Sequence, residues 1–154
     1  MSDAVKIETA LICDEVRKED NGKLIIVGLY ATNIRFTVLP AAGVFTFLVI
    51  AQALKTGDHD VQFRVKLADT VLYESKGGQI HARQPGRVLV PLPNIIIEAD
   101  KEAMLTLEAN TYQEGWELVS SVPVQGPDTN APSTASEQPS SRSPSAASKK
   151  SSKP

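Results

Sequence analysis

Residues 61–68 read Val61-Gln62-Phe63-Arg64-Val65-Lys66-Leu67-Ala68, large apolar side chains alternating with polar or charged ones. Successive side chains of an extended chain point to opposite sides, so this stretch is a strand with one buried and one wet face. At 3.6 residues per turn the same apolar positions would scatter around a helix, which argues against one. The flanks agree: Gly57-Asp58 opens a turn before it, and Asp69-Thr70 reverses the chain into a further run at residues 71–74.

The same grammar extends in both directions. Residues 5–13 alternate, with Val5, Ile7, Thr9, Leu11 and Cys13 expected on one face and Lys6 and Glu8 on the other. Residues 23–30 (KLIIVGLY) are apolar on both faces and read as a central strand covered on both sides. Between them Asn21-Gly22 supplies the positive φ angles of a tight reversal, so a hairpin or antiparallel corner is expected. Residues 14–20 (DEVRKED) are too few and too polar for more than a turn. Further apolar runs follow at 33–38, at 44–53 after Pro40 and Gly43, at 87–92, at 95–98, and at 103–110 and 116–123 around Gly115. Pro91 and Pro93 place the 87–92 run at a sheet edge or end it. No stretch carries a helical apolar stripe, and no internal repeat is visible. The expectation is an all-β fold: an antiparallel two-sheet β-sandwich, immunoglobulin-like or similar, of about eight strands over residues 1–124. A closed barrel is the competing architecture.

From Gln125 to Pro154 the composition changes, with nine Ser, five Pro and no aromatic or large aliphatic residue. Such a segment has no apolar surface to offset its ordering entropy, so a disordered Ser/Pro/Lys-rich tail is expected over residues 125–154. The tail carries a net +2 and the body up to Val124 a net −4. An acidic body lacks the basic face that phosphate neutralisation requires, so no specific nucleic-acid partner is expected. Cys13 is the single cysteine, which excludes an intrachain disulfide and a cysteine metal cluster. The first residues lack the pattern of a secretory signal, and no run approaches the length of a membrane span. A soluble cytoplasmic protein is the expectation.

The chemistry-bearing residues are sparse. His59 lies in the polar turn Gly57-Asp58-His59-Asp60 and His81 near Gly77-Gly78 and Arg83; both read as exposed and neither has a catalytic motif around it. Cys13 reads as a small buried hydrophobe, made less nucleophilic by Asp14 and Glu15. Asp58 and Asp60 are separated from Asp69 by a strand, roughly 25 Å at about 3.3 Å per residue, too far for one calcium ion. Trp116 reads as a core residue; with Tyr112 and Tyr30 it would otherwise form an aromatic platform for a sugar. No catalytic set, metal site or cofactor is implied.

One resemblance stands out. Cys13-Asp14-Glu15-Val16-Arg17, then Asn21-Gly22-Lys23, then Gly28-Leu29-Tyr30, resemble the opening of an uncharacterised bacterial family, a domain of unknown function. The resemblance is specific over residues 7–30, looser through Leu39-Pro40 and residues 61–67, and excludes the tail. It implies a bacterial origin and a small β domain, and no substrate. Glu15 stands where that family often has Asp. On the residues themselves, Asp14 or Glu15 is expected to pair with Arg17 or accept backbone N–H bonds, shaping the first reversal, and Gly28 to let its strand pack closely on the opposite sheet. Asp14, Glu15, Arg17 and Tyr30, with Asn33 and Arg35 beyond them, form the candidate binding or structural loop. The expected function is a non-catalytic protein-interaction or structural accessory module with a protein partner. The alternative is a small-ligand or carbohydrate-binding β domain.

Overall fold

The computed structural model describes residues 4–111 and 115–128. Among them there are twelve strands and no helix, so the chain is all-β. The first sheet is organised on β5 (Ala41–Ala53). Along one edge of β5 runs β1 (Val5–Cys13). Along the other run β9 (Gly86–Pro91) and then β10 (Ile95–Ala99), joined across the short gap by the Leu92 N–H donating to the Phe47 carbonyl. The second sheet is organised in the same way on β6 (Gly57–Leu67). One edge of β6 pairs with β11 (Ala103–Thr111), which pairs in turn with β12 (Glu117–Gln125). The other edge carries β7 (Thr70–Glu74) and then β8 (Gln79–Ala82). Strand β4 (Ile34–Arg35) closes the far side against β12 and is parallel to it, the one departure from antiparallel pairing in the described sheets.

The inner faces of the two sheets meet in one core. Phe45, Phe47, Val49 and Ala51 of β5, with Ile12 and Ile97 beside them, belong to the same buried cluster as Val61, Phe63 and Val65 of β6 and Leu105 and Leu107 of β11. Each fully buried side chain of this size contributes about 1.5–3 kcal/mol. The alternation read at residues 61–67 is present: Val61, Phe63 and Val65 are buried, and Arg64 and Lys66 face the other way.

Three expectations are corrected. The alternation of β1 breaks at a bulge between Ile7 and Thr9, where the pairing with β5 shifts register. An extra residue in a strand turns every later side chain to the opposite face. Ala10 and Ile12 therefore enter the core cluster, and Cys13 leaves it. Second, residues 23–30 are not a central strand. Glu15–Lys18 (β2) and Leu24–Val27 (β3) form a separate two-stranded hairpin around Asn21-Gly22, with Gly22 at φ +83°. The polar run 14–20 thus supplies a strand rather than a turn. Third, twelve strands replace the expected eight or so, and the two that fall outside every apolar run, β2 and β8, are four-residue segments that carry little apolar signal.

The hairpin has a place in the packing. Thr46 and Leu48 project from β5 away from the core cluster yet are 2% and 1% exposed, and Cys13 is fully buried. The element that leaves β1 at Cys13 and contacts β5 without pairing to it is β2, so the hairpin lies over this outer face. Strand β12 ends at Gln125, one residue beyond the expected boundary, and Gly126 and Asp128 bond back to Glu102 and Arg35. The expected disorder of the tail concerns residues that, from 129 onward, lie outside the described ones.

Candidate functional site

The root of the hairpin is a small polar knot. The Asp14 N–H donates to the carbonyls of Val27 and Gly28, and the Tyr30 N–H to the carbonyl of Ile12. The Tyr30 hydroxyl donates to Asp14 Oδ1 at 2.7 Å. Burial, then the hydrogen bond to Asp14 and its negative charge, push the Tyr30 phenol up to about 12. Edge-on contact of the Tyr30 ring with Phe45 at 5.4 Å anchors this knot to the core. Gly28 is required here for a reason other than the one expected. Its φ is +66°, and a Cβ would collide with the Asp14 carboxylate rather than meet the opposite sheet.

Of the candidate loop, Arg17 donates to Glu15 Oε2 at 2.8 Å. That hydrogen bond, reinforced by the charge of Arg17, holds the Glu15 carboxyl below its usual range and raises Arg17. Both side chains are roughly half exposed, so the pair shapes the surface of β2 and adds little stability. Asn33 and Arg35 belong to a second, separate cluster. The Asn33 amide donates to Gln125 Oε1 at 2.6 Å, and Arg35 binds Gln125 and Asp128. These two residues tie β4 to the end of β12. The six candidate residues therefore fall into three groups: Asp14 with Tyr30, Glu15 with Arg17, and Asn33 and Arg35 with the end of β12.

The remaining singled-out residues also find places. His59 is buried, its Nε2 2.9 Å from the Lys55 carbonyl, because it points inward from β6 in phase with Val61. This corrects the exposed reading. His81 is exposed, with Nδ1 2.6 Å from Asp58 Oδ1. Trp116 stands outside the core cluster with the Arg64 guanidinium 4.2 Å above its ring, which corrects the core reading. It precedes β12 and lies against Arg64 of β6, whereas Tyr30 bridges to β1 and packs on Phe45, so the two aromatics do not share a platform; Tyr112 lies outside the described residues. Among the described residues no three His, Cys, Asp or Glu side chains converge on a metal position.

Two surfaces escaped the sequence reading. The first is the hairpin itself: Ile25, Ile26 and Val27 are 39–40% exposed and Leu29 is 53% exposed. Ile25 and Val27 face opposite to Ile26, so both faces of β3 reach solvent. The second is a groove of about 830 Å³ between the hairpin turn (Lys18, Lys23, Leu24) and the β8–β9 segment (His81, Arg83, Arg87, Leu89). Its lining holds four Lys or Arg side chains and no Asp or Glu. The only signal in the sequence was the basic character of residues 83–87, which are separated from Lys18 and Lys23 by some sixty positions.

The chain matches a family of unknown function (DUF6941) over residues 8–109, a range that holds the hairpin, both central strands and the groove. No curated protein matches the sequence. Among solved structures, it is similar to a candidate lipoprotein (ycdA) of Bacillus subtilis subsp. subtilis str. 168, with 15% sequence identity and a TM-score of 0.31. That similarity covers 80% of this chain and 38% of the other, so this chain spans well under half the length of that protein. No helix among the described residues is long and apolar enough to cross a membrane.

Proposed function

We propose that this chain, which belongs to a family of unknown function (DUF6941), is a non-catalytic protein-interaction module built on a two-sheet, immunoglobulin-like β-sandwich. The observation that carries the reading is the hairpin β2–β3. Four large aliphatic side chains in a row of five, Ile25, Ile26, Val27 and Leu29, remain about 40% exposed or more on a small two-stranded element. A soluble protein rarely keeps such a patch without a use for it, because exposed apolar surface invites association. Among the described residues strand β3 pairs with β2 alone, and it carries neither charge nor proline, the usual guards of an open edge. The core shared by the two sheets supplies a rigid support for this projection.

The test is purification of the tagged chain from its native cells beside a variant with Ile25→Asp and Ile26→Asp. A stoichiometric protein partner held by the native chain and lost by the variant, with the β-sheet circular dichroism retained, is the expected result. A native chain that emerges alone at every salt concentration, or a partner held equally by both, overturns it.

A further inference from the structure

We infer that the groove between the hairpin turn and β9 binds an acidic, extended segment of the protein partner; this rests on the interaction reading above and names the chemistry of what is recognised.

Charge comes first. Lys18, Lys23, Arg83 and Arg87 line the groove, and no carboxylate does. This stands out on a body whose net charge is −4. Of the acids nearby, Glu8 lies 3.4 Å from Arg87 and Asp58 holds His81, while Glu19 and Asp20 stand in the hairpin turn between Lys18 and Lys23 without lining the groove. Lys18, Lys23 and Arg83 have no ion-pair partner among the described residues. Four cations converging on one concavity repel one another, and an anionic occupant relieves that repulsion.

Shape and backbone then favour an extended peptide. Val88 and Leu89 project from opposite faces of β9, so a groove lined by both follows the edge of the strand. Strand β9 pairs with β5 only, which leaves its outer N–H and C=O groups without a strand partner among the described residues. An added strand would satisfy them, the usual mode of peptide capture at a sheet edge. Six residues of β9 span about 20 Å, enough for a peptide of similar length. The lining also holds apolar Leu24, Val88, Leu89 and Pro91, which suit the side chains that alternate with the acidic ones. A nucleic-acid strand would meet the same four cations but would continue onto the acidic body beyond them.

The probe is a blocked, fluorescent eight-residue peptide of alternating glutamate and valine, titrated into the full chain at about 50 mM salt, where charge pairing is weakly screened. Its counterparts are the lysine–valine peptide, a single-stranded DNA oligomer and inorganic phosphate. Saturable binding of the glutamate peptide alone is expected. It should weaken at least tenfold in the Lys23→Glu/Arg83→Glu chain and at about 500 mM salt, and stay unchanged in Lys101→Glu, a surface control. Absent binding, equal binding of the lysine peptide, an unaffected double variant, or tighter binding of DNA or phosphate overturns the inference. The two readings separate cleanly. A natural partner lost by the Ile25/Ile26 variant but retained by Lys23→Glu/Arg83→Glu keeps the interaction module and removes the acidic groove.

Discussion

Tyr30 and Asp14 sit sixteen positions apart, and their contact decides how the hairpin leaves the body. The hydrogen bond runs to a charged acceptor near the surface, so Tyr30→Phe should cost about 1 kcal/mol. The pH dependence has a definite sign. Because the folded phenol is raised to about 12, its contribution is fully present below the unfolded value of about 10 and disappears as pH rises through the folded one. The gap in melting temperature between native and Tyr30→Phe chains should therefore hold steady through neutral pH and close toward pH 12. A gap that persists unchanged there would show that the loss does not come from the titrating hydroxyl and its bond to Asp14. Sequence reading placed Asp14 and Tyr30 in one candidate loop but expected Asp14 or Glu15 to pair with Arg17, and it joined them to Asn33 and Arg35, which face a different strand. Proximity in sequence grouped what the departure of β4 toward β12 pulls apart.

On the outer face of the second sheet, β6 and β11 place Arg64 directly opposite Glu108. Arg64 Nε donates to Glu108 Oε2 at 2.8 Å, and Lys66 adds a second cation at 3.5 Å. Burial alone would raise the Glu108 carboxyl, but the hydrogen bond and charge of Arg64, with Lys66, outweigh it and hold the group below its usual range. A group lowered in this way stabilises the fold above the unfolded carboxylate value of about 4.3, and the contribution fades as pH falls through the lower folded value. Glu108→Gln should accordingly lower the midpoint of thermal unfolding at pH 7 by a few degrees, for about 1 kcal/mol, and by progressively less in acid. An equal loss at pH 7 and in strong acid would point to packing instead of charge. This element was legible beforehand: alternation at residues 61–68 fixed which side chains face out. Strand β3 was not. Four consecutive aliphatic residues say that a strand is apolar on both faces, but only the neighbouring elements decide whether anything covers them. Strand β8, with its glycine-rich approach and polar content, gave no periodic signal at all.

At the level of the molecule, the two sheets share a plan in which one long strand holds a continuous neighbour on one edge and two successive short strands on the other. The breaks between those short strands, at Leu92–Asn94 and at Ser75–Gly78, let each edge bend around the core. The same plan makes the basic groove, since β9 returns along β5 on the side toward which the hairpin folds. No spacing rule links Lys23 to Arg87; their meeting is a product of topology, which is why the all-β class could be read from the sequence and the groove could not. One consequence concerns the single sulfur atom. Cys13 closes β1 at the root of the hairpin with no exposed surface, its thiol raised by burial and by Asp14, so a small alkylating reagent should reach it only through local opening, such as a lifting of the hairpin. Its modification rate is a built-in stopwatch for that opening. Labelling of the native chain should run at least about a hundredfold slower than in denaturant, as expected for a segment that opens with a free energy of a few kcal/mol. Anything that clamps the hairpin will slow the clock, and anything that pries it loose will speed it, so one thiol reports which way a bound molecule pulls.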